Sequence, residues 1–390
     1  MADGTMTTIA EALKYFYLDG LRYQLDEKAS VFLSQIERNS KDIEGLKAVM
    51  GLSYGMTGGI GNRAEDGTLP TPNSRKFAQA KWDTKNVFVR IRLSDKCILA
   101  ARGNRGSFVS ILEHELQKAE VDAKRVLSRQ AVGNGTGLLA TIATSGVASD
   151  GTTRTCTVDS VKGLYEGMLI DCYTTTDKDT SEAEVTMVDR VNKTVTFVAT
   201  TAPEDGDLIY MAGNKDLELT GLEAVMTADS TLYEIVRSTN KWFNPTLKNV
   251  NGEISEVGIQ EGIDDTEDEV GSNINLLIAS KGVRRAYQAL LTAQKSQVNT
   301  LELKGGFKAL EYNGLGLVGD KYMPAGTMFG LDTNDWNMYQ LADWDWLDRD
   351  GSMFARVANK AMFEATLRKY CDVGCSRPRG QVKWYGITEH

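Results

Sequence analysis

The chain has 390 residues, of which 42% are hydrophobic and 25% charged, and a formal net charge of −9. That length supports two or three domains with cores of their own, while the acidic balance argues against a nucleic-acid reader, which needs a basic surface to displace phosphate counterions. No apolar run is long enough to span a bilayer, and the opening MADGTMTTIAEALKYF lacks the apolar core of a signal peptide. The cysteines, Cys97, Cys156, Cys172, Cys371 and Cys375, are therefore expected as reduced thiols of a cytosolic protein rather than a disulfide framework. Glycine (37 residues) far outnumbers proline (6), which predicts bends, bulges and movable loops rather than stiff linkers.

The first element is a helical stretch in which Leu25, Phe32, Leu33 and Ile36 recur at roughly helical spacing. Next comes KAVMGLSYGMTGGIGNRAEDG, residues 47–67. GLSYG matches the G-x-S-x-G of a nucleophile elbow, with Ser53 as the nucleophile. An elbow needs a helix directly after the serine, and the glycines that follow are poor helix formers. The chain also holds only two histidines: His114, in a strongly helical segment, and His390, the last residue. The overlapping GMTGGIGN suggests a phosphate loop, but it lacks the Gly-Lys-Ser/Thr ending and the dinucleotide spacing. The glycines then serve to keep an arm pliable. Beyond them Arg63, Glu65, Asp66, Arg75 and Lys76 are candidate charges for pairing across a subunit boundary.

Between Gly55 and Lys85 almost nothing reads as core. If that segment is a hairpin, arms of about fifteen residues would reach roughly 50 Å, past the radius of the domain that carries them, and the tip would touch another subunit. In NVFVRIRLSDK, Val87, Val89, Ile91 and Leu93 alternate with Arg90 and Arg92, the period of a half-buried strand. Residues 107–131 then predict a helix of roughly 37 Å, with Phe108, Ile111, Leu112, Leu116, Ala119, Ala123, Val126 and Leu127 as one apolar stripe. Ser110 and Glu113 resemble a capping box at its start, and Gly133 is its stop.

From 152 to 213 the chain is rich in Val and Thr with Gly, Asn and Asp turns, and it reads as a small β-barrel set into a host domain, with a hairpin turning near Asn192-Lys193. The remainder is mixed. NINLLIASKGVRRAYQALL predicts a buried strand, a turn and a helix, and GLGLVGD, AGTMFGLDT and MFEATLRKY predict short strands. Cys371 and Cys375 have no second pair or nearby histidine to complete a tetrahedral metal site, so they are expected as buried thiols. The acidic runs EGIDDTEDEVG and DWDWLDRDG read as solvated faces. With Gly351 as the turn glycine, Trp346 and Val357 fall where an EF-hand requires its first and last ligands. No catalytic, cofactor or metal assignment survives.

Four segments in series, LLIASKGVRRAYQALL, GGFKALEYNGLGLVGDKYMPAGTMFGLDT, YQLADWDWLDRDG and KYCDVGCSRPRGQVKWYGI, resemble the major capsid proteins of tailed bacteriophages, whose fold also forms the herpesvirus capsid floor. The resemblance implies an α+β fold in which 1–45 is an N-terminal arm, 46–96 an extended β-hairpin loop and 97–151 a peripheral domain with a long spine helix. It makes 152–213 an inserted β-domain, 214–365 an axial domain, and 366–390 strands returning to the peripheral domain. It implies a virion protein, assembled in the host bacterial cytoplasm, whose pentamers and hexamers form an icosahedral shell around double-stranded DNA without sequence-specific binding and without a membrane. Its further partners would be a portal protein, decoration proteins and a separate scaffolding protein, because few residues precede the extended loop. Some members cross-link Lys to Asn between subunits. Lys76, Lys81 and Lys85 lie in the loop, but the sequence identifies no partner Asn. The rival readings are an encapsulin-like compartment shell and a hydrolase using Ser53.

Overall fold

A computed structural model describes residues 30–40, 47–95, 111–146, 152–293, 300–303, 307–347 and 355–390. The chain begins with α1 (Val31–Gln35), β1 (Glu37–Asn39), β2 (Lys47–Tyr54), β3 (Lys76–Asp83), β4 (Lys85–Ser94) and α2 (Ile111–Val132). Six strands follow: β5 (Leu138–Thr144), β6 (Thr153–Val158), β7 (Leu169–Tyr173), β8 (Lys178–Asp189), β9 (Thr194–Val198) and β10 (Leu208–Met211). Then come α3 (Leu222–Val225), β11 (Thr231–Leu232), β12 (Ile235–Val236), β13 (Thr246–Gly252), α4 (Glu256–Val270), β14 (Leu276–Ser280) and α5 (Lys281–Ala293). The last strands are β15 (Thr300–Leu303), β16 (Phe307–Tyr312), β17 (Leu315–Asp320), β18 (Met328–Leu331), β19 (Trp336–Trp346), β20 (Ala355–Arg356), β21 (Met362–Cys375) and β22 (Val382–Ile387).

Two compact units result. Among the described residues the smaller holds Phe88–Lys124 and Trp344–Arg368. Here β4 and β20 both pair with β21, and the alternation seen in the sequence turns Arg90 and Arg92 to one side, where both meet Glu364. Within this unit Ala119 and Ala123 of α2 are buried, and Leu127 and Ala131 continue the buried stripe in the larger unit. The helix ends where expected: the Gly133 amide donates to the carbonyls of Arg129 and Gln130 at 3.1 and 3.0 Å. The expected start of α2 at 107–110 lies outside the described residues, as do the side chains of 111–116, His114 among them.

The larger unit (Ala29–Val87, Arg125–Asp343 and Lys369–His390) contains a closed barrel in the order β10-β5-β6-β9-β8-β7. Its interior is packed with Ile142, Cys156, Val158, Ile170, Cys172, Val185, Val195, Phe197 and Ile209. Lys193 takes φ 52° in the β8–β9 turn, at the hairpin the sequence predicts. The barrel is longer in sequence than 152–213, because β5, placed above with the helix-bearing segment, closes it between β10 and β6.

A seven-stranded mixed sheet in the order β13-β22-β18-β14-β17-β16-β15 forms the second core. Leu277 and Ala279 of β14 face Ile259 of α4 and Val283, Ala286 and Tyr287 of α5 in one cluster with Trp384. α4 is well capped, with the Ser255 hydroxyl accepting from Gly258 N and Gly271 at φ 65° closing the C-terminus. Gly262 lets α4 lie against the indole of Trp384, where a Cβ would stand 2.6 Å from the ring. This sheet corrects one expectation. Val382–Ile387 pairs with β13 and β18 rather than with strands beside the long helix, because Val382, Trp384 and Ile387 supply its core. The predicted first helix is also short. α1 has five residues, with Val31 and Phe32 buried and Phe32 edge-on to Trp336 at 5.1 Å, while Leu25 lies outside the described residues.

Candidate assembly surface

β2 and β3 pair over eight residues, from Lys47↔Asp83 to Tyr54↔Lys76. At about 3.4 Å per residue the paired ladder spans roughly 27 Å, about half the expected reach. Between Gly55 and Lys85, where the sequence shows almost nothing core-like, its inner face supplies the exceptions Ala80 and Trp82. Ala48, Ala80 and Trp82 alternate inward and are buried, and the Trp82 ring packs 4.7 Å from Tyr233 and 5.0 Å from Tyr339. Gly374 of β21 makes room for that stack, since a Cβ there would press on the Tyr339 ring and lie 2.6 Å from Trp82 Nε1.

The seat of the hairpin is the tight turn between β11 and β12. Tyr233 and Glu234 take φ 50° and 65°, the left-handed pair of a type I′ turn, which glycine or asparagine usually fills. Its neighbours hold it in place. Tyr233 O accepts from Lys81 N at 3.1 Å, and the Tyr233 hydroxyl donates to Val373 O and accepts from Cys375 N, both at 3.2 Å. Glu234 bridges Lys47 at 2.6 Å and Lys81 at 3.2 Å. The hydrogen bond from Lys47, then that from Lys81, holds its carboxyl below the ordinary range, and Glu234 in turn raises Lys47. At the far end of β2, Tyr54 stacks on Trp242 at 4.2 Å and 7°. Trp82 had a sequence signal, the alternation in KFAQAKW. The turn had none, because neither of its residues is a usual left-handed one.

The outer face and tip are solvent-facing. Val49 (54%), Phe77 (76%), Met56 (75%), Ile60 (68%) and Leu69 (83%) are exposed. Arg63, Glu65, Asp66, Arg75 and Lys76 are also all exposed. Arg63 folds back on its own loop, donating to Thr68 O at 3.0 Å and Asn62 O at 2.9 Å, a local role the sequence did not suggest. Glu65, Asp66, Arg75 and Lys76 make no ion pair among the described residues. Arg63, Glu65, Asp66 and Arg75 lie in the exposed loop between β2 and β3 and Lys76 at the start of β3, with no ion pair among them.

Ser53 lies within β2 opposite Phe77, and the residues after Tyr54 form a bend and turns rather than a helix. An elbow is thereby excluded by geometry. The serine borders a hollow of about 360 Å³ lined by Tyr54, Trp242, Phe243, Pro378 and Arg379, in which Glu269 is tied to Arg379 at 2.8 Å. His390 pairs instead with Glu253 at 3.0 Å. Cys156, Cys172, Cys371 and Cys375 are buried free thiols, which burial pushes up in pKa, Cys172 and Cys371 to about 12. Cys97 lies outside the described residues. No group of His, Cys, Asp and Glu among the described residues is arranged to hold a metal ion, and no described helix is long and apolar enough to cross a membrane.

No family model matches the sequence, and no curated protein matches it. Solved structures do match its fold. The capsid of cyanophage A-1(L) is similar over 99% of this chain and 100% of its own, with a TM-score of 0.61 at 10% identity. The capsid of a native GTA particle is similar over 99% and 100%, with a TM-score of 0.55 at 9% identity. The SrpI encapsulin of Synechococcus elongatus PCC 7942 covers 100% and 99%, with a TM-score of 0.50 at 8% identity. The fold is thus the mixed α/β fold of phage capsid shells, which encapsulins share.

Proposed function

We propose that this chain is the major capsid protein of a tailed bacteriophage, a structural subunit without catalytic activity that builds an icosahedral shell from pentamers and hexamers. The observation that carries this reading is the end-to-end fold likeness to the cyanophage capsid, which spans 99% of this chain and 100% of that one. A hairpin seated at its base, with an exposed apolar and charged tip, supports it. Such a tip suits a neighbouring subunit, and weak contacts repeated over a closed lattice give a stable particle. In this reading 47–83 is the extended loop, α2 the spine helix and the β5–β10 barrel an inserted domain. A separate scaffolding protein, a portal and decoration proteins are its partners, and an acidic chain suits a container that must not grip the DNA entering it.

The test is expression of the full chain, alone and with the phage's scaffolding protein, followed by sedimentation and electron microscopy. Rings of five and six or closed shells are expected, and a strictly monomeric species at high concentration in both preparations would sink the reading. The likeness to an encapsulin favours a second reading, a compartment shell with protein cargo. Shells purified from the native source decide it, since the capsid reading requires double-stranded DNA inside and the compartment reading a cargo protein. Ser53→Ala should leave assembly unchanged.

A further inference from the structure

Two helices that pack on one face of the seven-stranded sheet carry charge placed against their own backbones. α4, EVGIQEGIDDTEDEV, has seven carboxylates and no cation, and Glu267, Asp268 and Glu269 crowd its last turn. The partial negative charge of a helix C-terminus disfavours anions there. Asp264 and Asp268, one turn apart, also repel each other. α5, KGVRRAYQALLTA, has the opposite arrangement: Lys281, Arg284 and Arg285 lie at its N-terminal end with no acid in the helix, where cations are disfavoured.

Contacts within the chain answer only part of this. Lys248 pairs with Glu261 and Asp265 at 2.8 and 2.6 Å, and Arg379 pairs with Glu269. Glu389 covers the start of α5, accepting from the Ser280 hydroxyl and from Gly326 N, and Arg285 donates to the His390 carbonyl. Asp264 accepts only from the Gln260 amide. Among the described residues Asp264, Glu267 and Asp268 on one helix, and Lys281 and Arg284 on the other, form no ion pair. Val257, 79% exposed, lies on the same helical stripe as Asp264 and Asp268, adding an apolar point to the acidic face.

The two helices lie over different strands of the sheet. α4 packs on β13 and β22, at one edge, and α5 packs on β14 and β17, toward the other. We propose that the acidic face of α4 in one copy docks on the basic face of α5 in the next, a head-to-tail contact between copies of this chain. Because the two faces differ, the contact is heterologous, and repeating it generates a ring when the rotation closes. Charge complementarity of this kind fixes register and rejects a flipped neighbour. The proposal rests on the shell reading and names the surfaces that would join subunits within a ring.

The experiment uses the full chain under conditions in which the parent assembles, with three variants: Asp264→Lys with Asp268→Lys, Lys281→Glu with Arg284→Glu, and all four together. The isolated variants should keep the parent's circular dichroism spectrum and a cooperative melt, which shows that each is folded. Either pair alone should cut the assembled fraction at least tenfold by sedimentation, and the fourfold variant should restore it. A mixture of the two double variants should give six-membered rings but not five-membered ones, because alternation needs an even number. Double variants that assemble as the parent does, or a folded fourfold variant that stays unassembled, would overturn this contact while leaving the shell reading intact. A parent chain that never assembles would sink both.

Discussion

Gly374 and Trp82 show how closely the hairpin is fitted. A methyl group at 374 would have to displace the Tyr339 ring or the Trp82 indole, both within a buried aromatic stack. Overpacking of this kind typically costs about 1–3 kcal/mol. Gly374→Ala should lower the unfolding free energy from urea titrations by that amount and expose Trp82, with a red shift of its fluorescence. Asp372 gives a pH dependence. Burial raises its carboxyl from 3.8 to about 7, against hydrogen bonds from Thr220 and Val373 and the charge of Lys85, and its Oδ1 accepts from Thr220 N at 2.7 Å. The folded chain therefore holds this proton more tightly than the unfolded one. Its contribution is complete below about pH 4, shrinks as pH rises, and is gone above about pH 7, on the order of 4 kcal/mol in all. Asp372→Asn, which keeps the acceptor for Thr220, should flatten this part of the stability profile between pH 5 and 8 in denaturant titrations.

The hairpin and the barrel are the elements most open to test. If the tip docks on a neighbour, trypsin should cut the free subunit at Arg63, Arg75 or Lys76 and leave those bonds intact in the mature shell. Equal rates in both states would mean that the tip stays exposed. For the barrel, a peptide of 137–213 should give a β-type circular dichroism spectrum with a cooperative melt, whereas 152–213, lacking β5, should not fold. The elements differ in how legible they are. β4 and α2 follow directly from alternation and helical period, and the β8–β9 hairpin from Asn192-Lys193. The same signals cannot report partners, since Val382 and Trp384 advertise a core without saying that β13 and β18 supply it. The sequence does not assign β5 to the barrel, because residues 147–151 separate it from the Val- and Thr-rich strands. Among the site residues, the charges at the tip are visible in the sequence. Their seat is not, because the left-handed turn at Tyr233-Glu234 has an ordinary side chain at each position.

At the scale of the whole molecule, the capsid fold could be read from four C-terminal segments, and the full-length fold likeness agrees with that resemblance. What those segments do not reveal is how the barrel is joined to the rest. Its first and last strands are neighbours, with Leu138 opposite Tyr210, so the chain leaves and returns about 5 Å apart. Just outside, the neck is already fastened by the Asp216 amide on Thr136 O at 2.8 Å and by the ion pair of Arg129 with Glu218. Apart from the contacts of Lys162 with Met323 O and of Tyr165 with Tyr322, the excursion of roughly 70 residues acts on the host as a closed loop, and the entropy of closing a loop grows only slowly with its length. Lengthening, exchanging or removing it should therefore change host stability little, provided the neck is kept. A two-residue turn in place of 138–210 should leave the seven-stranded sheet folded. Conversely, a foreign domain with adjacent termini, spliced at the same point, would be carried once on every subunit.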